Sequence, residues 1–289
     1  MTNDNRAGGE PAARIGMVNY LNVAPIYETW KESVNQPEWE IVEDHPSGLN
    51  RRLLEGSIDL GFVSSYACGL NPEKYLILPG LSISANGAVG SVFLFSHVPF
   101  EQLGGAQILL TAQSATSIAL VKVILEKFIK VKPKYTSGNI MELENEHDYQ
   151  AVLAIGDDAL KLVDGSDYLY QFDLGDIWKR ETELPFVFAV FAVRREFAEE
   201  QPELLHRIHK ELVRCCDDGR RALPRICELA GPRVPITQSK CVEYLKGIEY
   251  DLSARKRTAL ETFFSILITQ GELPKEALPL QFFCWDQDK

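Results

Sequence analysis

The chain has 289 residues, 45% hydrophobic and 25% charged, enough to bury a large core in one large lobe or two modest ones. Thirty Lys plus Arg against 41 Asp plus Glu give a formal charge of -11 with no basic stripe, which excludes nucleic acid as an expected partner. No uninterrupted apolar run reaches membrane-spanning length, whereas a small anionic ligand stays open, because helix N-termini can make a pocket locally positive on an acidic protein.

The opening MTNDNRAGGEPAAR lacks the basic start and apolar core of a secretory signal, so residues 1–13 read as a flexible lead-in and a cytoplasmic location is expected. Residues 14–25, RIGMVNYLNVAP, then organise the chain. A buried strand over 15–18 stops at the polar corner Asn19-Tyr20-Leu21-Asn22, and Val23 leads into a helix that Pro25 is placed to begin. Open α/β sheets keep their ligands at such strand-to-helix corners. A short strand over 39–42 precedes a break at Pro46-Ser47-Gly48. Leu49, Leu53 and Leu54 then lie on a short helix with Gly56 just past its end, and an apolar strand over 58–63 ends in Ser64-Ser65. The pattern LxxGxxDxGFVSS resembles the bilobal periplasmic-binding-protein type of fold.

An apolar run over 76–81, a polar glycine-bearing corner over 84–88 and a strand over 91–95 follow. The strand over 107–110 meets the hydroxyl-rich stretch 111–117, after which Ile118, Val121, Ile124, Leu125 and Phe128 recur at helical spacing. Strands are predicted over 131–135, 151–155, 168–172 and 186–193, with helices over 139–146, after Gly156-Asp157, and over 174–180. The last third is helical, over 202–220, 239–246 and 253–270, with Gly271 as the final stop. Alternating strands and helices predict mixed sheets covered on both faces. The expected division is lobe one from 14–97 plus 186–289 and lobe two from 98–185, joined by two hinge crossings around a central cleft.

Asn22 on its own reads as an ordinary capping residue. Further polar ends at Ser64, Ser65, 86–91, 114–117 and Gly156-Asp157 suit convergence on one cleft. The hydroxyls of Ser114, Thr116 and Ser117, with the free N–H groups of their helix start, make an anion site; a simple N-cap accounts for one of the three. No GxxxxGK[ST], GxGxxG or GxSxG occurs, so a carboxylate ligand is preferred over a nucleotide. The six cysteines lack paired spacing and are expected as reduced thiols, with Cys215 and Cys216 as buried apolar residues. His206 and His209 lack the Glu of a zinc protease helix, His147 lies among charged residues, and no metal is expected.

RIGMVNYLNVAPIY, ANGAVGSVFLFS, QSATSIALVKVIL, AVLAIGDDAL and DLGDIWKRETELPFVFAVFA, in this order over 14–195, together resemble the chorismate dehydratase family of the futalosine route to menaquinone. The resemblance implies an α/β fold of the periplasmic-binding-protein-like type 2 and an enzyme without cofactor. Its reaction converts chorismate to 3-[(1-carboxyvinyl)oxy]benzoate and water. It places proposed active-site residues on Asn22 and Ser91, the family's serine-threonine-serine helix start on Ser114, Thr116 and Ser117, and its strand end on Ile155, Gly156 and Asp157. The family's usual Thr-Gly-Leu-Pro-Phe stands here as Thr182-Glu183-Leu184-Pro185-Phe186, which burdens a left-handed turn. A neutral amide is a poor proton acceptor, so the base is either a substrate carboxylate or Asp157. Two other readings compete: a non-catalytic carboxylate-binding protein of the same fold, and the sister 1,4-dihydroxy-6-naphthoate synthase, whose family carries a histidine base where this chain has Gly156. The sequence carries no signal of oligomeric state.

Overall fold

The structure is a computed structural model that describes residues 10–143 and 148–285. Its apolar runs pair into two five-stranded mixed sheets. The first has the order β2 (Trp39–Glu43), β1 (Ala13–Met17), β3 (Leu60–Ser64), β10 (Phe186–Arg194), β4 (Tyr75–Ala85). Within it β1 runs parallel to both neighbours and β10 antiparallel to both. β3 is buried along its whole length, and Phe62 meets Phe191 of β10 edge-on at 4.7 Å. The second sheet has the order β7 (Lys134–Gly138), β6 (Gln107–Thr111), β8 (Ala151–Ile155), β5 (Val92–Ser96), β9 (Tyr170–Asp173).

Because β5 pairs antiparallel with β8 and β9, the chain leaves the first sheet in 86–91, earlier than the crossing that hydropathy placed near residue 97. It returns in 183–185. The carboxylate of Asp173 accepts the N–H groups of Val89 and Gly90 at 3.1 and 2.7 Å, which ties the first crossing to the second sheet. At the second, Trp178 donates to the Pro185 carbonyl at 3.0 Å and stacks edge-on against Phe186 and Phe263.

The helices α1 (Ala24–Ser33), α2 (Pro46–Glu55), α3 (Ser65–Leu70), α4 (Ala115–Lys122), α5 (Gly156–Gly165) and α6 (Leu174–Thr182) connect the strands. The C-terminal block comprises α7 (Arg195–Glu200), α8 (Pro202–Arg221), α9 (Leu223–Ala230), α10 (Gln238–Gly247) and α11 (Ala254–Thr269). On α8 the spacing of Leu204, Ile208, Leu212, Cys215 and Gly219 makes one buried stripe that packs on α1. Gly219 permits the approach, since a Cβ there would sit 1.9 Å from the Pro25 carbonyl oxygen. α9 and α10 close over Leu21 from the first lobe and Leu160 of α5 from the second.

Several local expectations change. Pro46-Ser47-Gly48 does not break the chain; Pro46 opens α2, where a missing N–H costs nothing. Of the corner expected over 84–88, Ser84 and Ala85 end the long strand β4, where Ser82 and Ser84 donate their hydroxyls to the carbonyls of Asp251 and Glu249, while 86–88 form the expected bend with Gly87 at φ 124. The strand expected over 131–135 is shifted to β7. The helix over 139–146 is a single turn at Ile140–Glu142, and residues 144–147, including His147, lie outside the described residues. Helices α7 and α9 were not expected. The six cysteines are not all thiols: Cys227 and Cys241 form a disulfide, because α9 packs face to face on α10 with these Cα atoms 5.9 Å apart. Cys215 and Cys216 are buried as expected.

Candidate active site

The cleft between the sheets is narrow, with a cavity volume of about 70 Å³, below the usual range for small-molecule sites. Its walls are mostly apolar, with Val18, Val23, Phe62, Ile83, Val92 and Phe188 among them; its polar lining is Tyr20, Asn22, Ser64, Ser91, Ser117 and the backbone of Gly156. No Lys, Arg, Asp or Glu is among the described residues that line it.

Asn22 lies on a 3-10 turn, Leu21–Val23, between β1 and α1. Its carbonyl accepts the Tyr250 hydroxyl at 2.9 Å, while its side-chain Oδ1 is buried without a hydrogen-bond partner. A capping role would have used that oxygen on a neighbouring N–H. Such a group is costly to bury and available to a ligand. Ser91, 1% exposed, closes the first crossing: its Oγ accepts the Tyr244 hydroxyl at 2.9 Å and its carbonyl accepts Gly156 N–H at 2.7 Å. Gly156 has φ +56, and a Cβ there would come within 2.8 Å of the Tyr20 ring. The position therefore holds no larger side chain without moving Tyr20.

The expected hydroxyls divide by partner. Ser64 caps α3 by accepting Ala67 N–H at 3.3 Å and also accepts from Asn50 at 3.2 Å, while still lining the cleft. Ser65 faces away and donates to the Val187 carbonyl at 2.7 Å. Ser114 caps α4 by accepting Ser117 N–H at 3.2 Å. Thr116 accepts Tyr66 N–H at 2.9 Å, a bond from one lobe to the other. Of the three, Ser117 alone lines the cleft. The starts of α2, α3, α4 and α5 all contribute lining residues, at Pro46, Ser64, Ser117 and Gly156. Their N-termini direct partial positive charge towards the cleft, opposed at α5 by Asp157 and Asp158 in its first turn.

Asp157 is outside the lining and accepts Leu21 N–H at 3.2 Å, so it supports the Asn22 turn. Burial raises its pKa, opposed by the Leu21 N–H bond and the Lys161 charge. Sequence reasoning missed Tyr20, Gln113 and Tyr244. The Tyr20 hydroxyl donates to Gln113 Oε1 across the cleft and lies 3.3 Å from His45 Nδ1. Its place in the Asn19–Asn22 corner was the available signal; for Tyr244, in the motif-free C-terminal third, there was none.

A family model described as menaquinone biosynthesis matches residues 13–268. The chain is 31% identical over 268 residues to a chorismate dehydratase of Thermus thermophilus, covering 88% of this chain and 94% of that one. It is 26% identical over 256 residues to a chorismate dehydratase of Campylobacter jejuni, covering 86% and 94%. In fold it is similar to the alkanesulfonate-binding protein SsuA of Xanthomonas axonopodis bound to MOPS, with a TM-score of 0.64, 18% identity, and 93% and 96% of the two chains covered. That likeness fits the two mixed sheets with a cleft between them, a periplasmic-binding-protein-like architecture. With the match running through both lobes and every strand of both sheets, the chain belongs to the chorismate dehydratase family of menaquinone biosynthesis.

Proposed function

We propose that the protein is a carbon–oxygen lyase that removes water from chorismate to give 3-[(1-carboxyvinyl)oxy]benzoate, in menaquinone biosynthesis by the futalosine route. The observation that carries this reading is the buried, unpartnered Asn22 Oδ1 at a cleft lined, among the described residues, by hydroxyls and helix starts and by no charged side chain.

The reaction breaks the C3–H and C4–O bonds and forms the C3–C4 double bond; the base takes the C3 proton and passes it to the departing C4 hydroxyl, which leaves as water. The ring becomes aromatic, so the driving force lies in the substrate, and the protein has to orient it and stabilise charge. Loss of the C3 proton sends negative charge through the C1–C2 double bond onto the ring carboxylate. In this reading the starts of α2, α4 and α5, which line the cleft, stabilise that charge. Asn22 and Ser91 supply the neutral polar groups that hold the C4 hydroxyl and assist its departure. Since Asp157 is engaged with Leu21, the reading takes the substrate's own enolpyruvyl carboxylate as the base.

Incubation with chorismate, followed by separation and mass analysis, tests this. The expected product is lower in mass by one water and is lost in Asn22→Ala. Chorismate bound but recovered unchanged would make the protein a carboxylate-binding protein instead.

A further inference from the structure

We propose that Tyr244 is a positioning residue for the dehydration: its hydroxyl donates to Ser91 Oγ at 2.9 Å and so turns the Ser91 O–H into the cleft as a donor to the leaving hydroxyl. The inference rests on the proposed activity and adds to it a residue that does not line the cleft.

A serine hydroxyl has one proton and two acceptor sites, and its rotation decides which way the proton points. Burial pushes the Tyr244 phenol above its ordinary pKa, opposed by the bond to Ser91 and reinforced by the carboxylates of Asp157 and Asp173, so it keeps the proton that it donates to Ser91 Oγ. Its bond to Ser91 occupies one acceptor site of Oγ. The Ser91 backbone is held independently, through its carbonyl and Gly156 N–H at 2.7 Å and through the clamp of Asp173 on Val89 and Gly90. What Tyr244 contributes is therefore the orientation of the proton. The ring itself is fixed over Gly90 and between two core clusters, so the hydroxyl has little freedom to turn away. Since α10 belongs to the C-terminal block and Ser91 leads into the second sheet, the bond also makes the donor's geometry depend on how that block seats on the second lobe.

The test is a cycle of Tyr244→Phe, Ser91→Ala and the double variant, measured as chorismate turnover, with melting temperature as a control. Tyr244→Phe keeps the ring and its packing. The expected result is a fall in kcat of about tenfold with KM within about twofold, the scale of one lost hydrogen bond. In the Ser91→Ala background, Tyr244→Phe should have no further effect on kcat. Wild-type kcat in Tyr244→Phe overturns the proposal, and so does an equal loss with and without Ser91, which would make Tyr244 merely structural. Wild-type turnover in Ser91→Ala removes Ser91 from the reaction and this proposal with it, leaving the activity standing; no conversion by the unmodified protein overturns the activity and the proposal together.

Discussion

The backbone N–H of Leu21 donates to Asp157 Oδ1 across 3.2 Å, so the carboxylate at the start of α5 reaches over from the second lobe to hold the turn that carries Asn22. One bond thus separates two roles that the sequence left together, proton acceptor and support. Asp157→Asn preserves an acceptor for Leu21 and removes the charge. Turnover within about threefold of wild type is expected; a loss on the order of 100-fold in a folded variant would restore Asp157 as the base.

The same variant carries a stability prediction with a definite sign. Burial raises the Asp157 pKa above its unfolded value of about 3.9, so in that interval the folded protein binds the proton more readily than the unfolded chain. The contribution of Asp157 to stability is best when both states are protonated, falls as pH rises through the interval, and stays lowered above the folded pKa. Asp157→Asn should therefore melt higher than wild type at neutral pH, with the advantage shrinking towards pH 4. Equal melting curves at all pH values would show that the charge carries no net penalty.

For Asn22, the absence of a partner on Oδ1 means that Asn22→Ala removes no intramolecular bond. The melting temperature should stay close to wild type while turnover falls by roughly 100-fold, the scale of one preorganised polar group lost from a site. A drop in stability of about 1 kcal/mol with normal turnover would return it to helix capping.

Thr116 and Ser117, adjacent in sequence, should separate in behaviour. Ser117→Ala should raise KM on the order of tenfold with little change in stability, since Ser117 faces the cleft. Thr116→Val leaves Tyr66 N–H without its acceptor and should lower stability by about 1–3 kcal/mol. The opposite assignment of the two effects would contradict this division of the helix start.

Among the described residues, bonds from one lobe to the other include Tyr20 to Gln113, Leu21 to Asp157, Tyr66 to Thr116 and Lys240 to Asp164. We expect the ligand-free protein to open about 86–91 and 183–185, so that small-angle scattering shows contraction on adding product. Superimposable curves, with binding established separately, would mean rigid lobes.

Glu183 ends α6 with φ 62, a conformation that disfavours a side chain, while Lys179 and Arg255 both donate to its carbonyl at 2.8 Å. Glu183→Gly keeps both backbone bonds and should stabilise by up to about 1 kcal/mol in chemical denaturation. A less stable variant would mean that the Glu side chain itself supports the turn.

What the sequence determined alone is local in origin. The succession of strands and helices follows from burial periods of two and of 3.6 residues. The helix start at Ser114 follows from a side chain that caps a backbone N–H three residues on, whereas α3 after Ser64 was not read from the sequence. Asn22 stood out at its strand-to-helix corner and Ser91 through the family resemblance, and both line the cleft. Tertiary structure decided the partners. Ser65 is spent on Val187, 122 residues away; Thr116 serves Tyr66 and Asp157 serves Leu21; Tyr244 finds Ser91 across 153 residues; and Cys227 pairs with Cys241 once α9 lies on α10. A side chain's type fixes what it can donate or accept, but its partner depends on which surfaces the core brings together, and that is a property of the packed chain as a whole.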